Sequence, residues 1–162
     1  MTLQNYLSYF DTLIPPAEKL FRLVPPDKID WKPTEHSFTC GQLMTHIGGA
    51  LGAYGNGIAR GEWKFPTLEA VHQLNKQTPS LGIEQAVGLL HTKYEFFKST
   101  LCALTEDEFN NGMVDTPQLG RVPRWRIALF GMEHHLNPKA ELFMYLKMLG
   151  LNVRTEDLYL MR

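Results

Sequence analysis

Two histidines far apart in the chain are the side chains best suited to chemistry. His46 lies in a glycine-rich segment, and His134 lies in the apolar stretch from Arg124 to Gly150. A neutral imidazole binds transition metals and accepts protons near neutral pH. A histidine that is hydrogen-bonded inside a helical core is the alternative for each residue. Both are candidate ligands of one metal ion, because helical bundles build metal sites from side chains on facing helices.

The other histidines are weaker candidates. His135 follows His134 directly, and successive helical residues point about 100° apart, so the pair is not itself a chelate. His91 and Glu95 have the i, i+4 spacing that allows one ion to be shared. The polar neighbours of His91 instead favour a solvated helix face.

Several well-known catalytic classes lack their sequence signatures in this chain. It contains no His-Glu-x-x-His, Walker A or Gly-x-Ser-x-Gly sequence. The fourth long segment has no Glu-x-x-His pair of the kind that ferritin-like di-iron sites use. Only two cysteines occur, Cys40 and Cys102, which is too few for a disulfide framework.

Bulk properties predict one globular domain over residues 1–162. Hydrophobic residues make up 44% and charged residues 20% of the chain, and the formal net charge is -1. The absence of a basic block disfavours nucleic-acid binding. No apolar run approaches the roughly 18 residues of a membrane span, so we expect no membrane association. The N-terminus has no signal-peptide pattern, and we expect a cytoplasmic, reduced protein.

Apolar periodicity predicts four long helical segments. The first is interrupted at Pro15 and Pro16, where we expect a kink or a restart. The second begins at Thr39, which has the spacing of a capping box. We find no convincing strand pattern and assign residues 110–123 to a loop. An all-α, antiparallel four-helix bundle follows, with long helices over 3–24, 39–58, 83–104 and 124–150 and short ones near 68–74, after Thr105 and after Thr155.

The second long helix is rich in glycine. Each glycine costs about 1 kcal/mol of helix propensity relative to alanine. The five glycines are Gly48, Gly49, Gly52, Gly55 and Gly57. Close approach of a neighbouring helix is one explanation. Space for a ligand beside His46 is the other.

Three sequence patterns together resemble a known family. The segment SFTCGQLMTHI, from Ser37 to Ile47, places a small polar cap and a leucine before His46. The Trp31-Lys32-Pro33 segment precedes it, and KAELFMYLKMLG ends the last helix at Gly150. Their order and spacing resemble the DinB/YfiT-like superfamily over most of the chain.

The resemblance implies a frequently dimeric four-helix bundle with a short extra helix. It also implies a divalent metal ion, nickel or zinc, held by three histidines. His46 matches the first ligand position and His134 the second. The third position falls on Pro138, whose side chain cannot bind a metal. Characterised relatives of this family include transferases and isomerases that use thiols such as bacillithiol or mycothiol.

Two functions follow from the resemblance. The first is a divalent-metal-dependent, thiol-dependent transferase or hydrolase with an incomplete histidine triad, acting on a small-molecule substrate. In it, Arg121, Arg124 and Arg126 would hold a carboxylate of the thiol or substrate near a helix N-terminus. Ordinary surface charge is the alternative for these arginines. The second function is a non-catalytic ligand-binding or interaction bundle that has lost the metal site. A homodimer is expected in either case.

Overall fold

The computed structural model describes residues 1–63 and 67–159, apart from the side chains of Leu68 and His72. The helices, with one turn of 3-10 helix at Pro26–Lys28, and the strands of this part are α1 (Leu3–Asp11), α2 (Ile14–Leu23), α3 (Cys40–Arg60), α4 (Leu68–Lys76), α5 (Ile83–Cys102), α6 (Glu106–Asn111), β1 (Met113–Thr116), β2 (Gly120–Pro123), α7 (Arg124–Met148) and α8 (Thr155–Leu158). No helix in these ranges has the length and apolarity needed to cross a lipid bilayer.

The sequence signals for helix ends are confirmed at several points. Pro15 and Pro16 occupy the first positions of α2, where a missing N–H costs nothing, so the helix restarts there. Thr39 and Gln42 form the predicted capping box of α3. Short helices occur near 68–74, after Thr105 and after Thr155 as expected. The polar sequence around His72 in the short helix near 68–74 predicts a solvated imidazole, and that side chain lies outside the described residues.

The four long helical segments surround one core, but not all neighbours are antiparallel. Residues along α3 and α5 meet in the same order, because Gly48 lies against Leu90 and Gly55 lies against Phe97. These two helices therefore run parallel. The connection from 61 to 82, which contains α4, is long enough to return the chain along the bundle. The antiparallel prediction holds for α7 against α3 and for α1–α2 against α5.

The core is aromatic at its centre. Phe10 of α1 packs against Phe97 of α5 with ring centroids 4.9 Å apart, and Tyr6 donates a hydrogen bond to the carbonyl oxygen of Ala128 at 2.9 Å. These contacts tie α1 to both α5 and α7. Burial of such large rings is the main stabilising term available to a bundle of this size.

The predicted loop over 110–123 is wrong for most of its length. The chain forms an antiparallel hairpin in which Val114 pairs with Val122 and Thr116 with Gly120. Thr116 donates to the carbonyl oxygen of Gly120 at 2.9 Å and accepts from the amide of Leu119 at 2.9 Å. Strands of four residues are too short to show an alternating pattern, so turn residues dominated the prediction.

Pro138 does not end the last long helix. Helix α7 runs for 25 residues from Arg124 to Met148 with Pro138 inside it. Proline has no N–H, so the carbonyl oxygen of His134 loses its usual intrahelical donor. Beyond Pro138, Lys139 is buried and donates through Nζ to the carbonyl oxygen of Leu158 at 2.9 Å, which holds α8 against the bundle.

The glycines of α3 have two kinds of surroundings: some lie against α5, and others border open space. A Cβ at Gly48 would lie 3.1 Å from backbone atoms of Leu90, and one at Gly55 would lie 3.2 Å from Cα of Phe97. These two glycines permit close packing of α3 on α5. A Cβ at Gly49 would meet no atom within 4 Å, because this residue borders open space beside His46.

The two neighbouring glycines give a matched test of this packing. We expect Gly49→Ala to raise the free energy of unfolding by about 1 kcal/mol through helix propensity alone. Gly48→Ala should lower it by about 1 kcal/mol, because the new methyl group overpacks the contact with Leu90. Urea unfolding of both variants and the parent protein measures the difference. Equal stability of the two variants would contradict the assigned helix contact.

Candidate functional site

The antiparallel packing of α3 and α7 brings His46 and His134 together. Their ring centroids lie 5.0 Å apart at an interplanar angle of 64°. Phe38 packs on His46 with a centroid distance of 5.3 Å, and Tyr54 packs on His134 at 5.2 Å. The expectation that the fold juxtaposes these two histidines is met, and aromatic rings border the pair on both sides.

Both imidazoles are held in the neutral form. Burial, with a smaller effect from the nearby His46, lowers the pKa of His134 to about 4. Burial also lowers the pKa of His46, while the charge of Glu141 acts in the opposite direction. Each ring therefore offers one N–H donor and one nitrogen acceptor at neutral pH.

The histidine pair borders a cavity of about 460 Å³. This volume lies within the range of small-molecule sites. Helices α3, α4 and α5 and the β-hairpin supply most of its wall. The lining residues are Thr45, His46, Gly49, Ala50, Gly52, Ala53, Tyr54, Asn56, Trp63, Val71, Leu74, Asn75, Gln77, Thr78, Pro79, Lys93, Phe96, Gln118 and His134.

The polar groups of this lining are one cation and several uncharged side chains. Lys93 is the one charged residue among the lining residues that the structure describes, and no carboxylate is present among them. The side-chain amide oxygens of Asn56 and Gln118 are buried with no partner in the described part of the chain. Burial raises the pKa of Tyr54 well above its usual range, so its hydroxyl stays protonated. The cavity wall therefore has a positive formal charge.

The residues at the pair do not complete a three-ligand metal site. Pro138 occupies the position one turn after His134, and within 1–63 and 67–159 no group of three His, Cys, Asp or Glu side chains could hold an ion. The carboxylate of Glu141 accepts a hydrogen bond from the Tyr145 hydroxyl at 2.7 Å. Two imidazoles alone are a weak donor set for zinc or nickel. The donor set does not fit a tightly held catalytic ion.

The three arginines lie apart from the cavity wall. Arg124 donates to the carbonyl oxygen of Ile58 at 2.9 Å and to that of Glu108 at 3.3 Å, so it joins α3 and α6 to the start of α7. Arg121 lies 3.4 Å from a carboxylate oxygen of Asp115 in the hairpin, and Arg126 is exposed. None of the three lines the cavity, and their predicted anion-binding role stays a prediction.

Neither cysteine is placed for nucleophilic chemistry at the pair. Cys40 is fully buried at the start of α3, and burial raises the pKa of its thiol to about 11. Cys102 is exposed at the end of α5, and neither residue lines the cavity. Any thiol that reacts at His46 and His134 must therefore come from a bound molecule.

His135 and His91 do not line the cavity and contact other parts of the protein. His135 is 2% exposed and packs on Phe10 with ring centroids 5.4 Å apart. Neither of its ring nitrogens has a hydrogen-bond partner among the described residues. His91 forms a hydrogen bond with a carboxylate oxygen of Glu18 at 2.7 Å on the exposed face of α5.

Sequence reasoning missed most of the cavity wall. Tyr54, Trp63, Lys93 and Gln118 come from four different parts of the chain, and nothing local marks them as neighbours. Trp63 is held by a hydrogen bond from its indole N–H to the carbonyl oxygen of Asp115 at 2.8 Å. The one local signal was the run of small residues that follows His46 at helical spacing.

Comparison with known proteins agrees with this architecture. The DinB superfamily matches residues 10–137 of the sequence, which is most of the chain. The chain belongs to the DinB superfamily. Among curated protein sequences, none matches it.

Two solved structures share the fold. A DinB-like protein from Bacillus subtilis has a TM-score of 0.69 and 22% identity, with 92% of this chain and 94% of that chain covered. A histidine-to-alanine mutant of the mycothiol-dependent maleylpyruvate isomerase has a TM-score of 0.69 and 15% identity, with 88% of this chain covered. This chain spans 61% of the isomerase's length. Both structural similarities confirm the helical fold predicted for this chain.

The buried His135 makes the free energy of unfolding depend on pH. Burial is the largest cause that lowers its pKa to about 4, followed by the charge of Lys139, with weak opposite effects from the backbone of Leu13 and Ile47. Below pH 6.5 the imidazole of the unfolded chain takes up a proton that the folded chain excludes. Its contribution to stability is therefore complete above pH 6.5 and is lost progressively as the pH falls toward 4.

A His135→Leu variant tests this assignment. Between pH 7.5 and pH 5.0, the parent protein should lose about 2 kcal/mol more unfolding free energy than the variant, at about 1.4 kcal/mol per pH unit below 6.5. Urea unfolding at the two pH values measures it. His36→Ala, which changes an exposed histidine, should follow the parent protein. Parallel losses in parent and His135→Leu would contradict the assignment.

Proposed function

We propose that this protein is a thiol-dependent enzyme whose reacting groups meet at His46 and His134, without a tightly held metal ion. The observation that carries the proposal is the pair of neutral imidazoles bordering a cavity of about 460 Å³. The isomerase that shares the fold is mycothiol-dependent by its description, which supports a low-molecular-weight thiol as the partner here. The substrate is a small organic molecule of the cavity's size.

The chemistry that this pair supports is proton removal from a bound thiol. An ordinary thiol has a pKa near 8.5, and only its thiolate attacks well. A neutral imidazole nitrogen of His46 accepts the proton as sulfur attacks an electrophilic carbon. The S–H bond breaks and a C–S bond forms, the leaving group departs with its electron pair, and the imidazolium returns the proton to water.

The low pKa of His134 shapes this step. An imidazolium in a buried site is unfavourable, so His134 is a weak base toward a thiol, and His46 is the proton acceptor of the pair. The same burial excludes water, which strengthens hydrogen bonds to the sulfur. Tyr54, whose hydroxyl stays protonated, packs on His134 and supplies a further donor at this end of the cavity.

A thiol-conjugation assay tests the proposal. Bacillithiol, mycothiol and cysteine are each mixed with 1-chloro-2,4-dinitrobenzene, a neutral electrophile that releases chloride when sulfur attacks. We expect the protein to accelerate conjugation with at least one thiol, and His46→Ala to lower that acceleration roughly 100-fold, the range for loss of a general base. His36→Ala should keep the rate of the parent protein. Acceleration that survives in His46→Ala would contradict the assigned role.

Metal analysis provides an independent test. Untagged protein is expected to contain far less than one equivalent of nickel or zinc, because the donor set lacks a third side chain. EDTA should leave both the melting temperature and the conjugation rate unchanged. Near-stoichiometric metal that is lost in both His46→Ala and His134→Ala would contradict a metal-free enzyme.

A second candidate is the non-catalytic ligand-binding bundle, which Pro138 favours because it replaces the third metal ligand. This reading predicts that ligands bind in the cavity but that no thiol is conjugated. The conjugation assay separates the two candidates.

The expected homodimer is checked by analytical ultracentrifugation, since a species of only 18.5 kDa would rule it out.

A further inference from the structure

Lys93 occupies a distinctive place in the cavity wall. Its stem lies over Gly52 of α3, because a Cβ built at Gly52 would lie 3.1 Å from Cδ and 3.9 Å from Nζ of Lys93. The glycine leaves room for the lysine to lie along the helix, half-buried at the cavity. In the described part of the chain, Lys93 forms no ion pair.

The surroundings of Lys93 leave its charge uncompensated. No carboxylate is found among the described residues that line the cavity, and both histidines of the pair are neutral. Asn56 and Gln118 line the same cavity and carry no charge, so they do not compensate Lys93. A cavity with a cation and no anion among its described lining residues is complementary to a negatively charged ligand.

The spacing between Lys93 and the histidine pair restricts the ligand further. Gly52 lies six residues after His46 on α3, which is about 9 Å along the helix at 1.5 Å per residue. Tyr54, Trp63 and Phe96 supply aromatic wall in the same cavity. A ligand that reaches both ends needs an anionic group and an apolar or aryl body several bonds long.

We infer that Lys93 is the anion-binding residue of the cavity, and that the substrate is a small carboxylic acid with an apolar body. This inference rests on the proposed function for the reacting end of the cavity, and it adds the substrate class and the residue that selects it. Lys93 takes the carboxylate at one end, while the carbon that reacts lies toward His46 and His134. The three arginines near the start of α7 are not needed for this recognition.

A paired set of probes tests the inference by equilibrium binding. Phenylacetate, 3-phenylpropionate and 4-phenylbutyrate are each compared with the corresponding neutral amide, using calorimetry at pH 7.5. We expect at least one acid to bind roughly tenfold or more tightly than its amide, since a hydrogen bond between charged groups is stronger than one to a neutral amide. Equal affinity of every acid and its amide would overturn the inference.

Variants assign the preference to Lys93. Lys93→Met keeps a flexible stem over Gly52 and should lose the preference for the acid, with affinity for the amide unchanged. Lys93→Arg should retain most of the preference. Lys147→Met, which removes an exposed charge on α7 outside the cavity lining, should bind both probes as the parent protein does. A preference that survives in Lys93→Met would overturn the assignment.

The outcomes separate this inference from the proposed function. If amides bind as well as acids, the cavity is a binding site but Lys93 does not select the ligand. If no probe binds, the inference is also overturned. The proposed function is decided by the conjugation of bacillithiol, mycothiol or cysteine with a neutral electrophile. That reaction requires no carboxylate on the electrophile.

Discussion

Close packing of α3 against α5 is the constraint on which the rest of the structure depends. Gly48 and Gly55 let the two backbones approach, and this contact fixes α3 in the bundle. Beside this contact, Gly49 borders open space, and Gly52 admits the stem of Lys93 from α5. That placement leaves His46, Gly49 and the small residues after them on the cavity wall. The glycine-rich sequence thus has a packing role and a cavity role within one helix.

The same packing sets the electrostatics of the cavity. Helix α7 places His134 beside His46 in a partly desolvated position, where burial keeps both rings neutral. The parallel direction of α3 and α5 brings Lys93 next to Gly52, further along the same wall. The two ends of the cavity therefore differ in charge: the histidine pair at one end is neutral, and Lys93 at the other end is a cation. A ligand with one anionic end is expected to bind in a single orientation.

The fold was predictable where local physics decides it. Helix starts followed from side-chain caps and from Pro15 and Pro16, and the long helices followed from apolar periodicity. The hairpin was not predictable, because its four-residue strands are stabilised by partners that only the folded chain provides. The direction of α5 relative to α3 also could not be predicted from the sequence. It depends on how a long connection crosses the bundle, which no local pattern specifies.

The candidate site divides in the same way. His46 and His134 were found because helical bundles build metal sites from side chains on facing helices and because the sequence resembles the DinB pattern. Pro138 was visible as a departure at the third position, and the structure adds that no described side chain replaces the missing ligand. Lys93 was not found, because it lies in a segment that reads as an ordinary amphipathic helix. Its role follows only from the neighbour that Gly52 admits.

The most direct test is to observe the two histidines while a ligand binds. Long-range ¹H–¹⁵N spectra of histidine side chains are recorded at pH 7 during titration with the dinitrophenyl conjugate of bacillithiol. The account predicts that the signals of His46 and His134 shift together and saturate at one affinity, while those of His36 and His91 stay in place. Saturable binding that leaves His46 and His134 unshifted would contradict the central claim that this pair forms the reacting end of the cavity.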